Sequence, residues 1–280
     1  MSGLSELTSA YEFSGDISVS GVWRPERRNR NIGTSWSGYS KSNDMRIPES
    51  WQDKHGNYSM FYERLEAAKE QEATIGDFKL KVLYEEPREG FTYGCTPADV
   101  IKILRAVASL SPELPNIIAF RQPTRKQRQQ KPVWGRFLYF AEFGKHEGTA
   151  IILEAQELGT VLKWSKRMTI EDRAEYERLA ADGHPFVETK RHFEAKLVED
   201  AVRNTKLYRT LLHEIGHLAH YHRDVLDDRT ALDEDFDVAR DLYFLKPSSE
   251  REIFAHSFAE SLSQSLRLTG EIPFDPLGLR

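Results

Sequence analysis

Cysteine is nearly absent from this sequence: Cys95 is the single one in 280 residues. One cysteine excludes an internal disulfide framework, and it excludes a zinc site built from several cysteines of the same chain. No uninterrupted apolar run approaches the roughly 18 residues of a membrane span. The N-terminus also lacks the basic start and apolar middle of a signal peptide. We therefore expect a cytoplasmic chain that has no contact with a membrane.

Neither acidic nor basic residues are in large excess in this sequence. The formal net charge is −5 and the pI is about 6.0, so the chain as a whole is not a general binder of polyanions. Basic residues are nevertheless concentrated in residues 24–30 and 121–131. We expect both segments to be exposed loops. The second interpretation is contact with an acidic partner or nucleic acid for residues 24–30, and contact with a substrate or an acidic partner for residues 121–131.

The composition changes along the chain, which predicts an α+β fold. Residues 1–75 are expected to form a loop-rich and in part disordered N-terminal region, with one helix over residues 58–72. Residues 76–280 are expected to form the main domain. Its first part, to about residue 164, would hold a small mixed or antiparallel sheet, and this sheet would pack on a helical part over about residues 165–280.

Local patterns predict the elements of this domain. Alternating or continuous apolar runs indicate strands, and two of them flank a short glycine-containing loop as in a hairpin. The predicted strands cover residues 77–84, 116–120, 133–140, 149–155 and 161–164. Thr96 with Asp99, and Thr169 with Asp172, have the spacing of helix N-caps. A further helix is predicted over residues 188–204.

The most informative stretch is residues 211–220, which contains His213, Glu214 and His217. In a helix over residues 205–222, the two histidines lie one turn apart on one face. The opposite face carries the apolar residues Leu207, Leu211, Ile215 and Leu218. Two imidazoles at this spacing can share a zinc ion, and Glu214 beside them can take a proton from water. Chance would produce this pattern roughly 0.02 times in a chain of this length.

A catalytic zinc normally has a third protein ligand and one open position. The long zincin motif would place that ligand at position 223, and Arg223 excludes it. The third ligand is therefore expected from a later helix, and Glu252 is our candidate. Ala255 and Ala259 lie near the same face as Glu252 and would let this helix approach closely.

Other roles for these residues remain open. Ser249 and Glu252 have the spacing of a capping box, in which Glu252 would only close the start of its own helix. Three further residues are alternative ligands: Glu250, His256 and Glu260. His256 is also a candidate catalytic residue that orients a ligand or binds a developing oxyanion. His220 is expected at the rim of the site rather than on the metal.

These residues resemble those of gluzincin-type metallopeptidases. His213, Glu214 and His217 match the HExxH motif, and the segment that follows is similar to the E-x-x-A-x-x-F-A helix of the ImmA/IrrE-type metallopeptidases. That segment consists of Glu252, Ala255, Phe258 and Ala259. The likeness covers about residues 208–268. It implies that Glu252 is the third zinc ligand and that the substrate is a protein cut at a selective site.

The sequence thus predicts a zinc metallopeptidase with Zn2+ on His213, His217 and Glu252, acting on a protein or peptide. One strand of the predicted hairpin is expected at a sheet edge beside the motif helix, where it would pair with extended substrate. The alternative is a catalytically inactive zincin-like protein that contacts a protein or nucleic-acid partner through its basic segments. A metal hydrolase acting on a non-peptide amide is a third hypothesis.

Overall fold

The computed structural model describes residues 8–12, 50–52, 58–130, 132–226 and 233–278. Within these residues, strands dominate the first two thirds of the chain. They are β1 (Thr8–Glu12), β2 (Ser50–Gln52), β3 (Tyr58–Met60), β4 (Lys69–Ile75), β5 (Phe78–Tyr84), β6 (Phe91–Thr92), β7 (Ile117–Arg121), β8 (Val133–Phe143), β9 (His146–Glu154), β10 (Gln156–Glu157), β11 (Val161–Ser165), β12 (Phe186–Glu188) and β13 (His192–Lys196). Most of the predicted loop-rich region before residue 58 lies outside the described residues, and so does the basic segment at residues 24–30.

The largest sheet has six strands in the order β1-β8-β9-β7-β5-β4. Strands β5, β7 and β9 run parallel, while β4, β8 and β1 each run antiparallel to their neighbours. The sheet is therefore mixed, as predicted. The predicted hairpin is confirmed as β8 and β9, but neither strand lies at the sheet edge, because β1 pairs outside β8, so the expectation of an edge strand in this hairpin is wrong. Strand β8 has only the short β1 beyond it.

Both faces of this sheet are covered. All five residues of β7 are buried, which explains its continuous apolar run. Ile118 and Phe120 pack toward the helices, with Leu80, Val82, Phe137 and Ile151 in the same core. Ile117 and Ala119 pack on the other face, against Phe61 and Tyr62. The same core contains Leu211, Ile215 and Leu218 of the motif helix, so the sheet supports that helix directly.

The helices follow the predicted signals where a cap is present. They are α1 (Pro97–Ala108), α2 (Arg125–Gln130), α3 (Ile170–Ala181), α4 (Glu199–Thr205), α5 (Leu211–Tyr221), α6 (Asp233–Leu245) and α7 (Ser248–Leu268), with π-helical turns at Lys206–Thr210 and His222–Leu226. Thr96 and Asp99 form a complete capping box, and Thr169 caps α3. Within the described parts of the chain, no helix is long and apolar enough to cross a membrane.

The predicted helix over residues 58–72 and the boundary at residue 75 are both wrong. Strand β4 pairs with β5 from Lys69 opposite Tyr84 to Ile75 opposite Phe78, so the boundary divides a hairpin. The turn between them has two residues, and its first residue, Gly76, has a φ of 58°. Glycine adopts this left-handed conformation readily, which is the usual requirement of a two-residue hairpin turn.

The expectation that about residues 165–280 are nearly all helical is also wrong, because two strands lie within this part. Strands β11, β13 and β12 form an antiparallel sheet, and the helix predicted from residue 188 begins only at Glu199. The aromatic side chains explain this arrangement, because Phe186 packs on Trp164 and Tyr176 while Phe193 also contacts Tyr176. These contacts bury aromatic side chains that would be left exposed to water if the segment formed the predicted charged surface helix.

The basic segment at residues 121–131 is not an exposed loop at its start. Arg121 is buried and lies 2.9 Å from the carboxylate of Glu154, and its guanidinium also donates to the buried Gln127. Such a buried charge is tolerated because it is paired and hydrogen-bonded. Residues 125–130 form α2. The cationic surface that the sequence suggested here is therefore reduced to the side chains of α2.

Candidate metal centre

The motif helix α5 packs against β8 and β9 of the main sheet. Its start is held by Lys206, which is fully buried in the preceding π-helical turn. The Lys206 ammonium donates to the backbone oxygens of Trp134, at 2.5 Å, and Glu154. Burial lowers the pKa of Lys206 to about 7. The hydrogen bonds tie the start of the motif helix to the two strands that form the hairpin.

Helix α7 covers the side of α5 that faces away from the sheet. A Cβ atom on Gly216 would lie 2.8 Å from the backbone oxygen of Ala255 and 2.9 Å from its Cα. Ordinary contacts begin near 3.4 Å, so this crossing requires glycine on α5. The predicted close approach at Ala255 is confirmed. Because Glu252 lies one turn before Ala255 on α7, the same crossing brings Glu252 to the two histidines.

Three side-chain donor atoms converge where these helices cross. The Nε2 atoms of His213 and His217 are 3.1 Å apart. The carboxylate of Glu252 lies 3.3 Å from His213 Nε2 and 3.6 Å from His217 Nε2. A tetrahedral zinc with bonds of 2.0–2.2 Å has ligand atoms about 3.3 Å apart. The separations among the three side chains are close to this value, with a different Glu252 oxygen nearest to each histidine, and the residues fit a zinc ion.

The protonation states also suit a cation. Burial lowers the pKa of His213 well below its usual range, and the charge of His256 lowers it further. Burial has the same effect on the pKa of His217, with His213 as the second cause. Both imidazoles are therefore neutral at pH 7, and a neutral imidazole is the form that binds metals.

Glu214 is fully buried beside this group. Burial raises the pKa of Glu214 well above its usual range, and the nearby charge of Glu252 raises it further. The backbone amide of Phe137 on β8 opposes this shift, but neither carboxylate oxygen has a partner of hydrogen-bond geometry among the described residues. A buried carboxylate with this environment is typical of a catalytic acid or base.

His256 lies on the open side of the cluster. Its ring is 4.5 Å from that of His213, and His213, Glu252 and His256 have ligand atoms within 4.8 Å of one another. This group overlaps the set with His217. The set with His217 has separations of 3.1–3.6 Å, close to a tetrahedral edge, so it is our candidate set of metal ligands. His256 would then lie next to the ion without binding it.

The other candidates are not brought to the donor atoms. The capping role of Glu252 is wrong, because α7 begins with Pro247 at its N-cap and has no side-chain cap. Glu250 lies 3.4 Å from Lys246 on the exposed surface, and Glu260 is exposed. His220 turns elsewhere: its Nε2 lies 3.1 Å from Asp224, and its ring stacks on Phe254.

An open cleft of about 650 Å³ borders His213 and His256. Its walls include Arg178, Arg209 and Tyr208, which the sequence did not indicate. These arginines are held by acidic neighbours, since Arg209 lies 3.1 Å from Glu175 and 2.6 Å from Asp182. A second cavity, of about 250 Å³, lies between residues 123–133 and 154–162 and is lined by none of the motif residues. The larger cleft is therefore the one that borders the candidate metal centre.

Comparison with known proteins gives no relatives: no family model, no curated protein and no solved structure matches the chain. The functional interpretation consequently depends on the side chains of the site itself.

Proposed function

We propose that this chain is a zinc-dependent metallopeptidase of the gluzincin type. The observation that carries the proposal is the convergence of His213, His217 and Glu252, with donor atoms 3.1–3.6 Å apart, next to the buried carboxylate of Glu214. Two imidazoles and one carboxylate are the ligand set of a catalytic zinc with an open fourth position. A structural zinc site usually has four protein ligands.

A zinc ion at this position would lower the pKa of a bound water and polarise a carbonyl group. The residues of the chain would provide the remaining steps. Glu214 would accept a proton on its carboxylate and then deliver it to the leaving amine. His256 would donate a hydrogen bond to the carbonyl oxygen as negative charge develops on it.

The open cleft supports a polypeptide substrate. Its volume of about 650 Å³ accommodates several side chains, whereas a small amide would occupy only part of it. The resemblance of residues 208–268 to the ImmA/IrrE-type metallopeptidases also supports a protein substrate. Under this proposal, selectivity would come from the cleft walls rather than from the metal ligands.

The experiment compares Glu214→Gln with the unmodified chain, both loaded with one equivalent of zinc. Glutamine keeps the size of the side chain but cannot accept the proton at neutral pH. We expect zinc binding to remain and the cleavage of fluorescently labelled unfolded casein to fall by at least 100-fold. Glu177→Gln, on the exposed face of α3, is the matched control and should cleave normally.

The same experiment tests the alternative of an inactive zincin-like protein. Burial of Glu214 and of both histidines is the observation that favours this alternative, because a closed site admits no substrate. If the unmodified chain binds one zinc but cleaves no unfolded or native protein, the enzyme proposal is wrong. Normal cleavage by Glu214→Gln would contradict the assigned role of this carboxylate.

A further inference from the structure

The outer edge of β8 is occupied by another part of the same chain. Strand β1 pairs with it in antiparallel orientation, with Thr8 opposite Leu138, Ser9 opposite Phe137 and Ala10 opposite Arg136. The register then breaks before Glu12, which lies opposite Val133. Without β1, the backbone groups along this side of β8 would be open for pairing with another extended peptide.

This covered edge lies beside the candidate catalytic carboxylate. Helix α5, which carries Glu214, packs against β8, and Arg136 and Phe137 lie within that strand. Ser9 and Ala10 are the residues paired with these two positions. The segment Thr8–Glu12 therefore passes the part of β8 that adjoins the motif helix.

We propose that Thr8–Glu12 is a built-in competitor that covers the peptide-binding edge of β8. This inference rests on the proposed function, since the edge is a substrate site only if the chain acts on polypeptides. In the covered state, β1 occupies the backbone groups along this edge of β8. Displacement of the segment by a substrate strand, or by a partner that binds the segment, opens the site.

The pairing is suited to exchange. Strand β1 makes four paired positions, with a break among them, and it pairs on one side only. By contrast, β9 pairs with β8 from His146 to Leu153 and with β7 from Ala150 to Glu154. A short edge strand separates more readily than an interior one. Because the segment is part of the chain, its effective concentration at the edge is on the order of millimolar, so a free peptide must compete with it.

The first experiment measures peptide binding in the absence of hydrolysis. All variants carry Glu214→Gln and zinc, and the probe is a fluorescein-labelled peptide with the sequence of residues 5–15. Ser9→Pro with Ala10→Pro removes two consecutive backbone N–H groups, one of which faces β8. We expect this variant to bind the probe on the order of tenfold more tightly than the parent. Ser9→Thr with Ala10→Val keeps both N–H groups and should behave as the parent.

A truncation that removes residues 1–12 is a second variant, and it should show the same gain in affinity. Equal affinity in the parent, the proline variant and the truncation would overturn the inference, as would the absence of binding in all three. Hydrogen exchange of the Phe137 and Leu138 amides gives an independent measure. Faster exchange in the proline variant supports a covered edge, and unchanged exchange contradicts it.

Cleavage assays then separate the two proposals. With Glu214 intact, the proline variant should cleave labelled unfolded casein several-fold faster than the unmodified chain. If neither cleaves, the proposed function fails, but probe binding and hydrogen exchange still decide whether Thr8–Glu12 covers the edge. If both cleave at the same rate, the competitor role fails and the proposed function stands.

Discussion

Replacement of Gly216 by alanine should separate two helices by an amount that the structure defines. The added Cβ would lie 2.8 Å from the oxygen and 2.9 Å from the Cα of Ala255. Ordinary contact needs 3.4 Å, so the crossing must open by about 0.5–0.6 Å (3.4 − 2.9 and 3.4 − 2.8). Both Ala255 atoms belong to the backbone. They cannot rotate away as a flexible side chain would, and α7 itself has to move.

This movement has opposing effects on stability. Overpacking costs about 1–3 kcal/mol, whereas alanine in place of glycine inside a helix contributes about 1 kcal/mol. The net loss in the free energy of unfolding should therefore lie between zero and about 2 kcal/mol. The effect on the metal should be larger, because Glu252 moves with α7 and ligand positions tolerate only about 0.2 Å. We expect the zinc Kd to rise by about 10- to 100-fold.

The assay for Gly216→Ala is competition for zinc with a fluorescent chelator, together with urea unfolding in the presence of EDTA. Ser261→Ala is the matched control, since it places alanine on the exposed face of α7. The control should bind zinc normally. A Gly216→Ala variant that binds zinc as tightly as the unmodified chain, and is about 1 kcal/mol more stable, would refute the close approach.

Two further predictions concern Glu252, the candidate third ligand, and the buried histidine His184. Glu252→Ala should raise the zinc Kd by more than 100-fold in the same chelator assay, and Glu260→Ala, on the exposed face of α7, should leave it unchanged. Burial lowers the pKa of His184 from 6.5 to about 4, so between these pH values the unfolded chain binds a proton that the folded chain does not. Stability from this group is complete above pH 6.5 and is lost as the pH falls toward 4, by about 3 kcal/mol in total. Urea unfolding from pH 4 to 7.5 should show this loss, and it should be smaller in His184→Gln; an equal loss in both would contradict the assignment.

Signals confined to one or two turns were readable from the sequence. Thr96 with Asp99 satisfies the backbone groups at the start of α1, and Thr169 does the same for α3. The spacing of His213 and His217 determines their common face once the helix exists. Each of these depends on atoms within four residues of chain, so no knowledge of the tertiary structure was needed.

Strand β4 shows why other elements could not be predicted. Its sequence, KEQEATI, consists mostly of residues that favour helices, and its first four residues are exposed. It becomes a strand because β5 offers a complete set of backbone partners across a two-residue turn. Strand formation here is decided by pairing rather than by side-chain preference. The Gly76 turn was the available local signal.

The candidate third ligand, Glu252, could be predicted from the sequence only in part. Glu252 is 39 positions after His213, and no periodicity connects residues on two different helices. Small residues on both helices are the physical reason for their contact, and Ala255 was recognised as one of them. Its counterpart Gly216 lies inside the HExxH motif, at a position where the motif itself does not specify a residue. A small residue on a motif helix therefore indicates where a second helix can pack closely, and that second helix is the one to search for a further ligand.

The energetics of the cluster favour a functional rather than a structural origin. His213, His217 and Glu214 are each at most 1% exposed, and Glu214 has no hydrogen-bond partner among the described residues. Burying a carboxylate such as Glu214 without a hydrogen-bond partner is unfavourable, whereas an apolar side chain would pack well at the same position. Lys206, also buried, differs because two backbone oxygens accept its hydrogen bonds. The fold alone does not require Glu214 at this position, and the proposed metal site would give it a function.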